Sequence, residues 1–332
     1  MNYPDEQDLL DAGCWFNIDK VGGLEMTAFR REARWRQHRW AVDELSIQSF
    51  GTHKGRRTHP DIPPEDISNG TKLTGADANA GANFLSPAIR EVAEARMREK
   101  QDHETLDGER LRRDLLSSMP MAFNLFGEAS LKENEVSRVR LAQLFGVPAS
   151  GSSDIIFEWS PDRRSAKYTR DRTAFDVALR LGQAGCARTV VGIETKYHEH
   201  SAKGSVPSPA DAARFARYQE QTEFLVAIAE ASGVFRAGWK DAVLSTDLRQ
   251  VWRDHLLVLS MRTQPGEWTA QSRYVLVYPS RNVSFADAAR RYADVLEDEG
   301  ASFRASTIED VVDAAFAHAG PTKERFIKRY LW

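Results

Sequence analysis

The sequence predicts an α/β layer fold in which helices cover a mixed β-sheet. The chain has 332 residues, of which 42% are hydrophobic, and this is enough to bury a large core. Short runs rich in β-branched residues follow one another between residues 153 and 197, and longer segments with helical spacing stand on both sides. From residue 121 onward the predicted order is α, β, β, β, α, α, β, α, α, which indicates a sheet between helical layers.

Each element is predicted from its apolar periodicity and its start and stop signals. A helix over 86–100 begins with Ser86 as N-cap and Pro87 at the first helical position. The predicted strands are 153–159, 173–181, 188–197 and 273–279. The other predicted helices are 107–116, 121–145, 209–232, 248–261, 284–299 and 306–319. Residues 58–83, rich in Pro, Gly, Asn and Asp, are predicted to be loop or linker.

Composition and charge exclude several classes of protein. No apolar segment approaches the roughly 20 residues that span a bilayer, and the N-terminus lacks the pattern of a secretory signal. We therefore expect a cytoplasmic protein without membrane contact. Cys14 and Cys186 are the two cysteines, which excludes a disulfide framework and a cysteine-based zinc site. The net charge of −3 implies that any contact with a polyanion is local.

A basic cluster lies near the N-terminus. Residues 29–39, FRREARWRQHR, contain Arg30, Arg31, Arg34, Arg36 and Arg39 beside one acid, and residues 53–57, HKGRR, extend the basic character. With Trp35 and Trp40 interleaved, the cluster could bind a phosphate backbone. The alternative is a solvated amphipathic helix whose tryptophans pack inward.

The stretch VVGIETKY, residues 190–197, ends an apolar strand with a carboxylate and an ammonium. Side chains on a strand alternate between faces, so Glu194 and Lys196 project from one face about 7 Å apart. Asp176 is a lone acid in the preceding strand, where an unpaired buried carboxylate would cost several kcal/mol. If the two strands are neighbours, Asp176 and Glu194 can converge on one hard cation. With the Thr195 carbonyl and water as further ligands, this donor set suits Mg²⁺.

Two alternative roles for these polar residues stay open. Asp176 and Lys196 could form a buried structural ion pair, which good geometry would permit. His198 and His200 could indicate zinc, although no third ligand accompanies them at a suitable spacing.

The order of elements and acids resembles the PD-(D/E)XK nuclease superfamily, whose common core runs α, β, β, β, α, β. Asp176 corresponds to its second-strand acid, and residues 194–196 to its (D/E)xK motif. Phe175 stands where the motif has proline. The segments LLSSMPMAFNLFG, RTAFD and ETKY are similar to a family of bacterial PD-(D/E)XK nuclease-like proteins often described as candidate restriction endonucleases. The similarity extends from about Gly75 to Trp332.

The resemblance implies a restriction-endonuclease-like core, a central mixed β-sheet flanked by helices, with a helical N-terminal extension. Residues 1–74 would form the arginine-rich extension and linker, and residues 75–332 the nuclease-like domain. Within that domain we expect a helical lead-in over 86–118, a core over about 119–282, and C-terminal helices over 284–332.

The implied function is metal-dependent hydrolysis of phosphodiester bonds in DNA, with restriction or anti-phage defence as its setting. Asp176, Glu194 and Lys196 would be catalytic. Mg²⁺, or Mn²⁺ as a substitute, would bind to Asp176, Glu194 and the Thr195 carbonyl. Lys196 would orient the attacking water or the phosphate.

The resemblance also implies further site residues. An additional acid would come from the first core helix, with Glu128 as the candidate, or from the first strand, with Glu158. A glutamine or tyrosine after the motif, Gln250, Gln219 or Tyr218, would contact the nucleic acid.

Two other functions stay open at this point. One is a protein that binds nucleic acid or a partner on a nuclease scaffold without cleaving, and the other is a hydrolase of a small phosphorylated metabolite. The sequence does not distinguish DNA from RNA or endonuclease from exonuclease. It does not define the oligomeric state, and a dimer is compatible with it.

Overall fold

A five-stranded mixed β-sheet lies at the centre of the fold. The computed structural model describes residues 4–53, 67–149, 151–182, 185–202, 206–297 and 300–332. A small antiparallel pair consists of β1 (Thr52–His53) and β2 (Ile67–Ser68). The central sheet consists of β3 (Ser152–Trp159), β4 (Phe175–Gly182), β5 (Thr189–Thr195), β6 (Arg273–Tyr278) and β7 (Phe303–Thr307).

The strands of the central sheet lie side by side in the order in which they occur in the chain. The neighbours β3, β4 and β5 are antiparallel, whereas β6 runs parallel to β5 and β7 runs parallel to β6. Every residue of β5 is buried. A strand covered on both faces has a continuous apolar run in its sequence, which is why residues 190–193 are all apolar or glycine.

Helices precede, connect and follow these strands. They are α1 (Glu6–Asp11), α2 (Gly23–Leu45), α3 (Gly75–Ala80), α4 (Pro87–Arg98), α5 (Gly108–Arg113), α6 (Ser118–Phe126), α7 (Glu135–Leu144), α8 (Ala212–Ser232), α9 (Trp239–Val243), α10 (Arg249–Arg262), α11 (Val283–Asp294), α12 (Ile308–Ala315) and α13 (Pro321–Tyr330), with a 3-10 turn at Asn17–Asp19. Ser86 caps α4 through its hydroxyl, which accepts from the Ile89 N–H at 3.3 Å. No helix in the described parts of the chain is both long and apolar enough to cross a membrane.

Both faces of the sheet are covered by helices. On one face, Val177, Ile193 and Val275 pack into a core that includes residues of α4, α6, α7, α12 and α13. On the other face, Val190 and Leu276 pack with residues of α8, α9, α10 and α11. The sheet is thus the middle layer between two helical layers, and a polar group on either of its faces must lie in a cleft or be paired.

The predicted fold class is confirmed, and the predicted elements are found with small shifts at their ends. The prediction was wrong about β7, whose last residues were assigned to a helix over 306–319. The sequence FRAST has little apolar character, and its strand state comes from parallel pairing with β6. The sheet therefore extends beyond the predicted core boundary at residue 282. The predicted loop over 58–83 contains β2 and α3, and the helix predicted over 121–145 is divided into α6 and α7.

Candidate active site

The register of the sheet places Asp176 beside Glu194. Val177 of β4 pairs with Ile193 of the antiparallel β5, so the next position on each strand brings the two acids opposite one another. The backbone N–H and the hydroxyl of Thr195 both donate to Asp176 Oδ2, each at 2.8 Å. The regular β4–β5 pairing ends at Val177 and Ile193, and these two hydrogen bonds from Thr195 hold the Asp176 carboxylate at the end of β5.

Lys196 lies against Glu194, with 2.7 Å between its Nζ and Glu194 Oε1. Gln250 Nε2 donates to the same oxygen at 3.4 Å. Burial, followed by the neighbouring Asp176 carboxylate, raises the pKa of Glu194 well above its ordinary value. Although burial disfavours the ammonium, the carboxylates of Glu194 and Asp176 raise the pKa of Lys196. The neighbouring carboxylates contribute to both shifts, because each additional negative charge stabilises a proton on its neighbours, and burial adds to this effect for Glu194 alone.

A glycine in β5 accommodates the residue that replaces the motif's proline. A Cβ on Gly192 would lie 2.4 Å from Cε1 of the Phe175 ring, closer than real contacts allow. Phe175 also stacks on Trp159, with ring centroids 6.4 Å apart. The aromatic side chain before Asp176 is therefore packed against a strand whose glycine leaves space for it.

Glu158 lies beside Asp176 on the neighbouring strand β3, in an unusual backbone conformation. The β3–β4 pairs on either side of these two residues are formed, yet Glu158 has φ of 50°. Its carbonyl accepts from Arg163 at 2.8 Å and from Arg96 at 3.2 Å, and Thr105 donates to its carboxylate at 3.2 Å. Burial, followed by the charge of Asp176, raises the pKa of Glu158 to about 7. Left-handed backbone at a non-glycine residue is unfavourable and occurs preferentially at functional sites.

Replacing Glu158 by glycine is expected to stabilise the cation-free protein by roughly 1 to 2 kcal/mol, because it relieves the left-handed backbone and removes a carboxylate beside Asp176. Arg164→Gly is the matched control, since Arg164 is exposed and has φ of 66°. The control should show the backbone effect alone. Denaturant unfolding of both variants measures the difference. A larger gain in Arg164→Gly than in Glu158→Gly would show that the Glu158 carboxylate stabilises the fold.

Asp254 is a further acid at this site that the sequence analysis missed. It lies on α10, one helical turn after Gln250, and is 9% exposed. Burial raises the pKa of Asp254 to about 7, although the charges of Lys196 and Arg253 act in the opposite direction. The signal in the sequence was an acid inside the apolar run VWRDHLLVL, four residues after Gln250.

These side chains line one cavity of about 780 Å³. Its acidic lining residues are Glu158, Asp171, Asp176, Glu194, Glu199 and Asp254, and its basic ones are Arg110, Arg172, Lys196, Arg249 and Arg253. Glu158, Glu194, Lys196 and Asp254 are buried, whereas Arg110 and Arg172 are exposed. The cavity therefore combines a mostly acidic interior with exposed arginines. The sequence analysis missed Arg110, Arg172 and Arg249, which come from three separate segments of the chain.

Two predicted sites are not found at this cavity. The Glu128 carboxylate accepts from Ser86 at 3.0 Å and from Thr322 at 2.7 Å, so it joins α4 to α13 and does not line the cavity. Within the described ranges, no group of three or more His, Cys, Asp or Glu side chains is arranged to hold a metal ion. This disagrees with zinc binding through His198 and His200.

Two arginines of the N-terminal cluster are buried in the fold. Nε and Nη2 of Arg34 donate to the two carboxylate oxygens of Asp19, at 2.9 and 3.0 Å. Nη2 of Arg30 lies 3.3 Å from the same carboxylate. Arg30 and Arg34 are each 6% exposed, and Asp19 is fully buried. Contact of either guanidinium with nucleic acid would require it to leave Asp19.

The other three arginines of the cluster lie nearer the surface. Arg31 stacks over Trp15 at 3.8 Å, whereas Arg36 and Arg39 pair with acids one helical turn away, Glu32 and Asp43. Of the two roles that the sequence allows for this helix, inward packing of the tryptophans fits Trp40, which is 4% exposed. Lys54, Arg56 and Arg57 lie outside the described residues.

A mixed sheet that places two acids and a lysine at the ends of adjacent central strands defines a nuclease-like α/β architecture. Residues 25–332 match the PD-(D/E)XK nuclease superfamily, and the chain belongs to this superfamily. The match begins within α2 and therefore includes the arginine-rich helix. The resemblance was expected to begin only at about Gly75. No curated protein and no solved structure matches the chain. Members of the superfamily are generally nucleases and typically use divalent metals.

Proposed function

We propose that this protein is a Mg²⁺-dependent nuclease that hydrolyses phosphodiester bonds of DNA. The observation that carries the proposal is the convergence of Asp176, Glu194 and Lys196 in a cavity that also has exposed arginines. Restriction or anti-phage defence is the setting that the resemblance suggests, and the cytoplasm is the location expected from the sequence.

The donor set fits a hard divalent cation. Thr195 donates to Oδ2 of Asp176, and both Lys196 and Gln250 donate to Oε1 of Glu194. The other oxygen of each carboxylate could therefore bind a cation. Mg²⁺ in proteins is commonly bound by one or two carboxylates and keeps several water molecules. The Thr195 carbonyl stays a proposed additional ligand. Mn²⁺, which takes similar oxygen ligands, is expected to substitute.

The side chains have different roles in this proposal. A bound cation would supply charge neutralisation for the phosphate and lower the pKa of a coordinated water. Asp176 and Glu194 hold the cation. Lys196 supplies a fixed positive charge and hydrogen-bond donors for the phosphate or the attacking water, at a position determined by Glu194. Gln250 lies at the edge of this group, and its contact with nucleic acid is part of the proposal.

The arginines of the cavity support a polymeric anion as substrate. Arg249 stacks over Tyr218 at 4.5 Å, and its Nη2 donates to Thr222 at 2.7 Å. Its position is thereby restricted. Arg172 is exposed and lines the same cavity. Guanidinium groups suit phosphate because they present several donors in one plane. A small phosphorylated metabolite would not need arginines from three separate segments of the chain.

The proposal is tested with the purified protein on linear, circular and single-stranded DNA and on RNA, with Mg²⁺ or with a chelator. We expect Mg²⁺-dependent cleavage of DNA, and cleavage of circles would define an endonuclease. Binding of DNA without cleavage, under conditions in which Mg²⁺ is bound, would instead favour a non-cleaving nuclease scaffold. Cleavage of RNA alone would correct the substrate.

The salt dependence of DNA binding should identify the arginines that contact phosphate. Arg172→Ala is expected to weaken binding and to reduce the log–log salt slope by about one unit, because one phosphate contact is lost. Arg39→Ala on α2 is the matched comparison for the arginine cluster expected from the sequence. The binding assay uses catalytically inactive protein at several salt concentrations. A slope that falls in Arg39→Ala and not in Arg172→Ala would place the contact surface on α2.

A further inference from the structure

Asp254 has no hydrogen-bond partner among the described residues that accounts for its burial. The residue is 9% exposed, and its Oδ2 accepts no hydrogen bond within the described part of the chain. Lys196 and Arg253 influence it through their charge and not through a hydrogen bond. A buried carboxylate oxygen without a donor is destabilising by several kcal/mol, so a purely structural role would leave it paired.

Asp254 lies on the side of α10 that lines the cavity. It follows Gln250 by four residues, so both lie on one face of the helix, and both line the cavity that contains Asp176 and Glu194. Most other buried residues of α10 are apolar, with Val251, Leu257 and Val258 in the core, and the buried His255 and Ser260 each make a hydrogen bond. An acid in this helix is therefore a local departure from apolar packing.

Asp171, which lines the same cavity, differs from Asp254 in its hydrogen bonding. Its Oδ1 accepts from Thr169 and from the Thr173 N–H, each at 2.9 Å, and its Oδ2 accepts from Arg253 at 2.7 Å. Both oxygens of Asp171 are thus satisfied by the protein, whereas Oδ2 of Asp254 is left unsatisfied by the described residues. The donor for Asp254 must come from something that these residues do not supply.

We propose that Asp254 binds the hydration shell of the cation held by Asp176 and Glu194, and that it thereby contributes to the affinity of the site. This inference rests on the proposed function. The water molecules that Mg²⁺ retains are hydrogen-bond donors and need acceptors around the site. Asp254 supplies such an acceptor and an additional negative charge. Direct ligation by a third carboxylate is not required, in agreement with the absence of a three-ligand group among the described residues.

Calorimetric titration of the full chain with Mg²⁺ tests this role without a substrate. Asp254→Asn keeps the shape of the side chain and removes its charge, so we expect the dissociation constant to rise about tenfold or more. Asp171→Asn should raise the dissociation constant much less than Asp254→Asn, because both oxygens of Asp171 are already satisfied by protein donors. Asp176→Asn, which removes a direct ligand, should show a greater loss than Asp254→Asn. Thermal melts without cation verify that the variants are folded, and Asp254→Ser is a second variant if the first is not.

The main rival is a structural role toward Tyr274, whose buried hydroxyl also lacks a partner within the described residues. If a water molecule joined Asp254 to this hydroxyl, Asp254→Asn and Tyr274→Phe would change the melting temperature alike and leave Mg²⁺ affinity unaffected. That result, with Asp176→Asn still defective, would overturn the inference and leave the proposed function intact. Failure of the wild-type protein to bind Mg²⁺ would overturn both.

Discussion

Replacement of Lys196 by methionine is expected to reduce DNA cleavage by about 10²- to 10⁴-fold while leaving Mg²⁺ binding largely intact. Methionine keeps most of the side-chain volume in this buried position, where Lys196 is 8% exposed. In the proposed function, the substitution would remove a positive charge near the phosphate without removing a cation ligand. Calorimetry and a cleavage assay on the same preparation measure the two properties separately.

Asp176→Asn is the paired variant, and both Mg²⁺ binding and cleavage should fall. Asparagine is preferable to alanine because its carbonyl oxygen can still accept from the Thr195 N–H and hydroxyl. Alanine would leave the buried Thr195 N–H without an acceptor, which costs about 1 to 3 kcal/mol. The two variants are therefore expected to have different defects. Asp176→Asn should lose affinity for the cation, whereas Lys196→Met should lose a positive charge that is proposed to act in the reaction.

A purely structural role for Lys196, which pairs in the structure with Glu194 rather than with Asp176, makes a different prediction for these residues. Removing Lys196 would then leave Glu194 as an uncompensated buried charge and destabilise the protein by about 3 to 5 kcal/mol. Asp176→Asn would show a loss of similar size, and the wild-type protein would show no response to Mg²⁺ in thermal melts. This combination of results would eliminate the catalytic role of Asp176, Glu194 and Lys196.

Asp19→Ala is expected to destabilise the protein by about 3 to 5 kcal/mol, because it leaves the buried Arg34 guanidinium without its carboxylate. The Arg34 and Arg30 charges lower the pKa of Asp19 even though burial acts in the opposite direction. This pairing stabilises the fold above the ordinary pKa of the carboxyl and is lost as the pH falls through the lowered value. Denaturant unfolding at neutral pH measures the effect.

Asp43→Ala is the control for this experiment. Asp43 pairs with Arg39 on the same helix, but both side chains are more than one third exposed, and such pairs contribute roughly 0 to 1 kcal/mol. Equal small losses in the two variants would contradict a structural role for the buried arginines. Such a result would make Arg30 and Arg34 candidates for contact with nucleic acid.

The helix that carries these arginines also supports the segment after Lys196. Gln37 donates to the Tyr197 hydroxyl at 3.1 Å, and its Oε1 accepts from Arg329 at 2.9 Å. Tyr197, Gln37 and Arg329 are all fully buried. Deletion of residues before about Gly70 would therefore disturb packing beside the site, so point substitutions are the better test of DNA binding by this region.

The sequence by itself determined the order of most strands and helices. Their apolar periodicity is a local property, and residues 190–193 identify a buried strand without knowledge of its neighbours. It also indicated Asp176, Glu194 and Lys196 as candidates, because an acid in an apolar strand and a charged pair at a strand end are unusual wherever they occur. Their convergence followed from one assumption, that the two strands are adjacent.

Only the tertiary structure decided which distant residues join them. Glu128 was the first candidate for the additional acid and Glu158 the second, yet the register places Glu158 beside Asp176, whereas Glu128 joins α4 to α13. Asp254 lies 60 residues after Glu194 in the chain, and its relation to the site depends on how α10 packs on the sheet. The arginines near Arg30 form one basic cluster in the sequence, and the buried Asp19 distinguishes its two buried partners, Arg30 and Arg34, from the arginines nearer the surface. In each case the physical reason is the same: pairing, burial and hydrogen-bond satisfaction are set by neighbours in space, and a linear pattern does not contain them.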